Sequence, residues 1–258
     1  HHFFGFNPFV YHLNNLLLHL AVTALIFWLG LRMGLKEWGA AAAALLFGIH
    51  PMHVESVAWI TERKDVLYAF FYMLALIGYW RYLETNSRSA YGWSLFSALL
   101  SILAKPMALS LPLILCLLDR FHGRKLDQKS ILDKVPFLIC IIPVAWITYS
   151  LHTRIPGENV YHGILMWIWS FSFYLQMFLF PVDPSPLYPP PVPVSLTNPA
   201  HMLAVVTFLF TGICFWLWRK NKWLTFAVGY YVLSIFFLLR FDVADGHIVA
   251  DRFMYLPS

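Results

Sequence analysis

Apolar runs long enough to cross a lipid bilayer recur from one end of this chain to the other, and nothing constrains its fold more. A membrane-spanning helix needs about 20 consecutive, mostly apolar residues, and segments 13–31, 65–83, 136–151, 201–218 and 223–240 read as spans. Inside hydrocarbon every backbone polar group must be satisfied within the protein, which leaves the helix as the element for runs of this length. Charged residues make up 12% of the sequence, against roughly 25% in an ordinary soluble domain, and the mean hydropathy is +0.64. A soluble core could not hide that much apolar surface. The expected fold class is therefore all-α, a polytopic transmembrane helical bundle with short outer-face helices and loops. No linker rich in Gly, Ser or charge divides the runs, so residues 1–258 read as a single transmembrane domain. The start at His1 without Met, and the stop just after an apolar-aromatic motif, read as an excerpt of a longer protein.

The formal net charge of +5 is small, and its Lys and Arg lie between apolar runs rather than in a stripe among exposed aromatics. That argues against nucleic acid as a partner and for the lipid bilayer. Cys116, Cys140 and Cys214 each sit inside an apolar stretch without metal-ligand or redox spacing, and read as buried small hydrophobes.

Four shorter runs need threading, and the distribution of positive charge decides between alternatives, because cytoplasmic loops collect Lys and Arg. Loop 119–135 carries Arg120, Arg124, Lys125, Lys129 and Lys134 and is read as cytoplasmic. Segment 38–50 ends at Pro51, which disfavours helix at the residue before it, and segments 92–104 and 106–118 flank Ala104-Lys105-Pro106. Two short helices meeting at Lys105 keep Arg81 and Arg88 on the same cytoplasmic side, whereas one kinked helix would place them outside. Segment 164–181 is read as interfacial or re-entrant, since a full crossing would carry Arg219, Lys220 and Lys222 outside. It follows that His50–Asp65, Lys105, loop 152–163, the proline-rich 181–199 stretch and the tail 241–258 share the outer face.

That face holds most of the chemistry. His50-Pro51-Met52-His53-Val54-Glu55 precedes Thr61-Glu62-Arg63-Lys64-Asp65 at the head of an apolar helix. Ionisable groups at membrane depth are costly and by default mark a polar substrate or ion path. Capping of the next helix by Glu62 and Asp65, with Arg63 and Lys64 snorkelling to the interface, is the structural alternative. His50, His53 and Glu55 have imidazole and carboxylate chemistry suited to a divalent metal, but Pro51 breaks the register that would align the rings. No cofactor is assigned; a divalent metal is the minor alternative. Lys105 lies beside Pro106 with no acid near it in sequence, so a lipid phosphate is its candidate partner. Arg252, next to Asp251, is a second candidate anion-binding cation. Pro181–Pro193, including Ser185-Pro186-Leu187-Tyr188, cannot be helix and reads as an ordered lid.

Together these stretches resemble the membrane half of the transmembrane and tetratricopeptide-repeat O-mannosyltransferases and their bacterial relatives of the GT-C fold. The matching residues are Gly5-Phe6-Asn7-Pro8 with His12-Leu13-Asn14-Asn15 and His19, then His50-Pro51-Met52-His53-Val54-Glu55-Ser56-Val57-Ala58-Trp59 and Arg63-Lys64-Asp65. Ala104-Lys105-Pro106-Met107-Ala108, Leu111-Pro112, Ser185-Pro186-Leu187-Tyr188-Pro189 and Ala250-Asp251-Arg252-Phe253-Met254-Tyr255-Leu256-Pro257 follow in order. The Glu62-Arg63-Lys64-Asp65 form looks more like bacterial members. Lys105 departs from the pattern in being followed by Pro, where an acidic residue or Gly is expected.

The resemblance implies a transferase that moves a sugar, mannose foremost, from a polyprenyl-phosphate donor to a Ser or Thr hydroxyl of a protein acceptor outside the membrane. It implies a general base in a first outer loop, which would precede His1, so no catalytic residue is assigned within the chain. Lys105, Arg252, Arg63 and Lys64 are then the candidates for the carrier phosphate. His50, His53, Glu55, Asp65, Tyr188 and Asp251 are candidates for orienting sugar or acceptor. The expected location is a bacterial inner membrane, or the endoplasmic reticulum in a eukaryote. A secondary transporter and a non-catalytic scaffold are the rival readings; no internal repeat of the kind transporters carry is visible.

Overall fold

The computed structural model describes residue 5, residues 7–150, 160–182, 184–185, 187–236 and 249–258. Most of the 152–163 loop, the first part (241–248) of the 241–258 tail and the end of the 223–240 run therefore lie outside the described residues. The chain divides into two compact units, His1–Ala145 and Trp146–Ser258.

In the first unit, α1 (Pro8–Arg32) opens with Pro8 at its first position and Asn7 accepting a hydrogen bond from the Phe9 amide. It ends at Gly34, whose φ of 98° suits a residue without Cβ. The chain doubles back as α2 (Glu37–Ile49), and small residues let the two helices approach: Gly48 lies against Thr23 and Gly30 against Ala40. Pro51 forbids further helix. A 3₁₀ turn (Pro51–His53), the short α3 (Val54–Ala58) and a second 3₁₀ turn (Ile60–Glu62) then lead into α4 (Arg63–Thr85).

The core sits around α4, which buries Val66, Tyr68, Ala69, Tyr72, Leu76 and Tyr79. Asn86, in the left-handed conformation, ends it, and α5 (Arg88–Ala104) returns antiparallel. A Cβ at Gly78 would meet the Ser94 backbone nitrogen at 3.0 Å, so only glycine allows this approach. Ser94 and Ser101 donate to the carbonyls of Ala75 and Tyr68, absorbing hydroxyls that hydrocarbon cannot solvate. Pro106 stops α5, and after a 3₁₀ turn (Pro106–Ser110) the separate helix α6 (Leu111–His122) runs back beside α4. α7 (Gln128–Leu132) and α8 (Val135–Ser150) follow, and the division between units falls within α8, just after Pro143.

The second unit contains α9 (Val160–Leu179), α10 (Pro199–Trp218) and α11 (Lys222–Ile235). Ser172 donates to Ala204 O and Gln176 to Thr207, so α9 and α10 run parallel. α11 turns at Asn221 and runs against them, with Tyr231 donating to Phe171 O. Parallel neighbours need a long return, and the proline-rich stretch after α9 supplies it, with no helix among its described residues. Ser172 is level with the first turns of α10, so the beginning of α9 projects past the start of α10 while its end lies alongside Thr211 and Cys214.

Three helical stretches, Pro8–Arg32, Ile60–Thr85 and Pro199–Trp218, are long and apolar enough to cross a bilayer, and Glu37–Ile49 and Val135–Thr148 are shorter apolar helices. The chain is a multi-pass, all-α membrane protein. Among the described residues there is no strand beyond one antiparallel bridge between Tyr188 and Val249.

Candidate functional site

In the first unit the candidate residues gather where α2 stops and α4 begins. A helix leaves its last carbonyls without partners, and at the end of α2 imidazoles supply them. His53 Nδ1 lies 2.6 Å from Phe47 O, and His19 Nε2 lies 3.0 Å from Gly48 O. His50 Nδ1 accepts from the Met52 amide at 3.3 Å. His53 is 2% exposed, and burial pushes its pKa down to about 3, with the backbone bond to Phe47 opposing and His19 and His50 adding to the shift. A neutral imidazole spent on a backbone carbonyl is a structural cap. Among the described residues no group of three His, Cys, Asp or Glu side chains is placed to hold a metal.

Asp65 sits in the first turn of α4, where the helix dipole favours a carboxylate, and is fully buried. Its two oxygens have separate partners: Ser56 of α3 donates to Oδ2 at 3.0 Å, and the Lys105 ammonium is paired with Oδ1. Lys105 also lies 5.6 Å from the Tyr68 ring centroid. The fold thus supplies an acid for the cation that has none nearby in sequence. Asn15 of α1 donates towards Val57 O and Trp59 O at 3.2 and 3.4 Å, fixing α3 against α1. Around the pair, Lys64 contacts Glu62 at 3.4 Å while half-exposed, and the Arg63 guanidinium stacks 5.2 Å from the Tyr11 ring. Glu55 is half-buried on α3. The structure therefore brings Arg63, Lys64, Asp65 and Lys105 to one end of the bundle, with Ser56 and Asn15 as positioning side chains. Sequence reasoning had quoted those two only within a motif.

In the second unit Tyr188 and Asp251, 63 positions apart, meet: the Tyr188 hydroxyl donates to Asp251 Oδ2 at 3.0 Å and accepts from the Ser185 amide at 2.7 Å. The Tyr188 amide bonds Val249 O at 2.9 Å, and its ring packs on Phe173 at 4.7 Å. The Ala250 amide donates to the Tyr174 hydroxyl and Tyr230 donates to Leu256 O, so both ends of the 249–256 segment are tied to helices. Asp251 is buried; Arg252 is half-exposed with its guanidinium over the Phe253 ring.

A further polar cluster, at the opposite end of α4, escaped the sequence reading. Asp119 of α6 is fully buried and paired with the buried Lys134; it also accepts from Tyr79 at 2.9 Å and Ser130 at 2.5 Å. Arg124 bonds Asp133 at 2.6 Å, and Tyr82 donates to Asp133 at 3.0 Å. The visible signal was an acid, Asp119, directly after an apolar run. Its neighbours Arg124 and Lys134 had been counted only as markers of a cytoplasmic loop.

Comparison with known proteins adds what geometry cannot. Over 136 residues, covering 51% of this chain, it is 35% identical to protein O-mannosyl-transferase TMTC2 of Mus musculus. It is 36% identical to the human TMTC2 protein over 137 residues. Human protein O-mannosyl-transferase TMTC4 aligns with 98% of this chain at 22% identity. The chain is a relative of the TMTC protein O-mannosyl-transferases. It spans 16% of the TMTC2 relatives and 43% of human TMTC4. No family model matches, and no solved structure does. The TMTC4 likeness extends through both units, so the Lys105–Asp65 end and the Tyr188–Asp251 cluster fall within the stretch shared with that relative.

Proposed function

We propose that this chain is the membrane portion of a glycosyltransferase that moves a sugar, mannose by the names of its relatives, from a polyprenyl-phosphate carrier to a Ser or Thr hydroxyl of a protein on the outer face of the membrane. The observation that carries this reading is the likeness to TMTC2 and TMTC4, both named protein O-mannosyl-transferases. Transfer from a lipid phosphate builds negative charge on the leaving phosphate, which cations placed beforehand stabilise. In this reading Lys105, Arg63 and Lys64 hold the phosphate at the α4 end of the first unit, and Arg252 is the candidate cation of the second.

Lys105 is paired with Asp65, and an ammonium, with three donors, can serve a phosphate oxygen as well as a carboxylate. Asp65, already engaged by Ser56 and Lys105, is suited to holding that ammonium and orienting substrate rather than to taking a proton. Glu55, His50 and His53 line the same end; Tyr188 and Asp251 take the orienting role in the second unit. The general base is placed in the part of the full-length protein that this chain does not span. The end bearing Lys105 faces outside, and the Asp119–Lys134 end faces the cytoplasm.

The test is transfer of radiolabelled mannose from polyprenyl-phosphate mannose to a Ser/Thr-containing acceptor by membranes holding the full-length protein. Label on the acceptor that disappears with Arg63→Ala or Lys64→Ala supports the reading. No label, under conditions in which a TMTC relative labels the same acceptor, would overturn it.

A further inference from the structure

Far from the candidate donor site, the first unit carries a second feature built for a ligand. Between α4 and α5 runs a cavity of about 360 Å³, its walls formed by Trp28, Phe71, Leu74, Trp93 and Phe96, with Arg81 at one end. The floor is low because Gly78 lets α5 approach so closely. From Phe71 to Arg81 the groove follows about 15 Å of α4 at 1.5 Å rise per residue. That is half of a hydrocarbon core of roughly 30 Å, the depth of one leaflet. Phe71 stands near the middle of the Ile60–Thr85 span and Arg81 near its end, so the groove runs from mid-bilayer to the level of the headgroups.

Charge specifies the occupant. Glu84, the nearest acid in sequence, is engaged elsewhere: Arg32 pairs with one oxygen at 3.2 Å and Trp80 donates to the other at 2.8 Å. Among the described residues Arg81 has no ion-pair partner, and neither has Arg88 beyond the turn. An exposed guanidinium at the mouth of an apolar, leaflet-deep groove, flanked by the interfacial tryptophans Trp28 and Trp93, complements an amphiphile with a negative head and a hydrocarbon tail. We propose that this groove binds an anionic phospholipid of the leaflet at the C-terminal end of α4, its phosphate on Arg81 and one acyl chain along Leu74, Phe71 and Phe96. The site lies at the opposite end of α4 from Asp65 and Lys105, and is independent of the transferase reading.

Native mass spectrometry of the purified full-length protein from micelles holding equal phosphatidylglycerol and phosphatidylcholine tests this. The wild type is expected to retain phosphatidylglycerol selectively. Arg81→Ala, a change at an exposed side chain, should cut that retention roughly tenfold or more, the worth of one charge-assisted contact. Arg88→Ala should leave it intact. Leu74→Trp, which keeps the charge but fills the groove, should also abolish it; if that variant does not fold, Phe96→Ala removes the acyl contact at the exposed rim instead. Equal retention of the two lipids, retention indifferent to Arg81→Ala, or retention surviving both groove variants would overturn the proposal, the last reducing it to surface charge. Absence of any retained lipid would overturn it too, leaving the groove to another segment of the full-length chain.

Discussion

Asp65 at the start of α4 and Lys105 at the break between α5 and α6, 40 positions apart, form an ion pair that is almost wholly withdrawn from solvent. Three elements depend on it, since Ser56 of α3 donates to the same carboxylate. Breaking one side of such a pair leaves an uncompensated buried charge and typically costs about 3–5 kcal/mol, whereas replacing both partners with apolar groups is often neutral. Lys105→Ala in the full-length protein should therefore lower the apparent unfolding temperature sharply, and Asp65→Leu with Lys105→Met should restore much of it. If Lys105 also holds the carrier phosphate, the stable double variant should still show a roughly ten- to hundredfold lower kcat/KM. Wild-type kcat/KM in the double variant would leave the pair a structural device only.

The parallel course of α9 and α10 bears on topology. If the Arg219–Lys222 turn is cytoplasmic, the proline-rich return starts at the cytoplasmic end of α9 and climbs to the outer start of α10. Tyr188 packs on Phe173, next to the Ser172 that meets the first turns of α10, which places Leu187 towards the outer end. In a background without Cys116, Cys140 and Cys214, Leu187→Cys should react with an impermeant thiol reagent added to intact cells and Lys220→Cys should not; both side chains are exposed. Equal labelling at the two sites would refute this threading.

His53 makes stability depend on pH. Its pKa is lowered by burial from 6.5 to about 3, so below pH 6.5 the unfolded chain binds a proton that the folded chain refuses. Stability from this group is full above pH 6.5 and is lost as pH falls towards 3, by up to about 1.4 kcal/mol per pH unit. His53→Gln can still donate to Phe47 O but cannot titrate. Its unfolding temperature should fall less steeply between pH 6.5 and 4.5 than that of the wild type, and parallel profiles would exclude the mechanism.

At the other end of α4, Asp119→Ala should strand the buried Lys134 ammonium and cost about 3–5 kcal/mol, the range for one side of a buried pair. Asp127→Ala, which removes only the cap that accepts from the Ser130 amide at 2.8 Å, should cost about 1 kcal/mol. Similar unfolding temperatures for the two variants would contradict the central place of Asp119.

What the sequence determined by itself is what local chemistry controls. Apolar runs specify spanning helices because hydrocarbon admits little else, Pro51 and Pro106 end α2 and α5 because proline cannot continue the hydrogen-bond ladder, and the clustering of 50–65 marks one end of the bundle. Partners were another matter. Lys105 looked unneutralised until the packing of α5 on α4 carried Asp65 to it. His53 looked available for a ligand until the end of α2 was seen to need donors, a need that His19 also meets. Lys134 and Arg124 looked like free loop charges until α6 and α7 placed Asp119 and Asp133 beside them. The course of α9 parallel to α10 likewise follows from Ser172 and Gln176 reaching Ala204 and Thr207, not from any local pattern. Hydropathy and proline chemistry act over a few residues and are legible along the chain. Charge pairing and capping at long range depend on helix register and close approach, which packing alone sets.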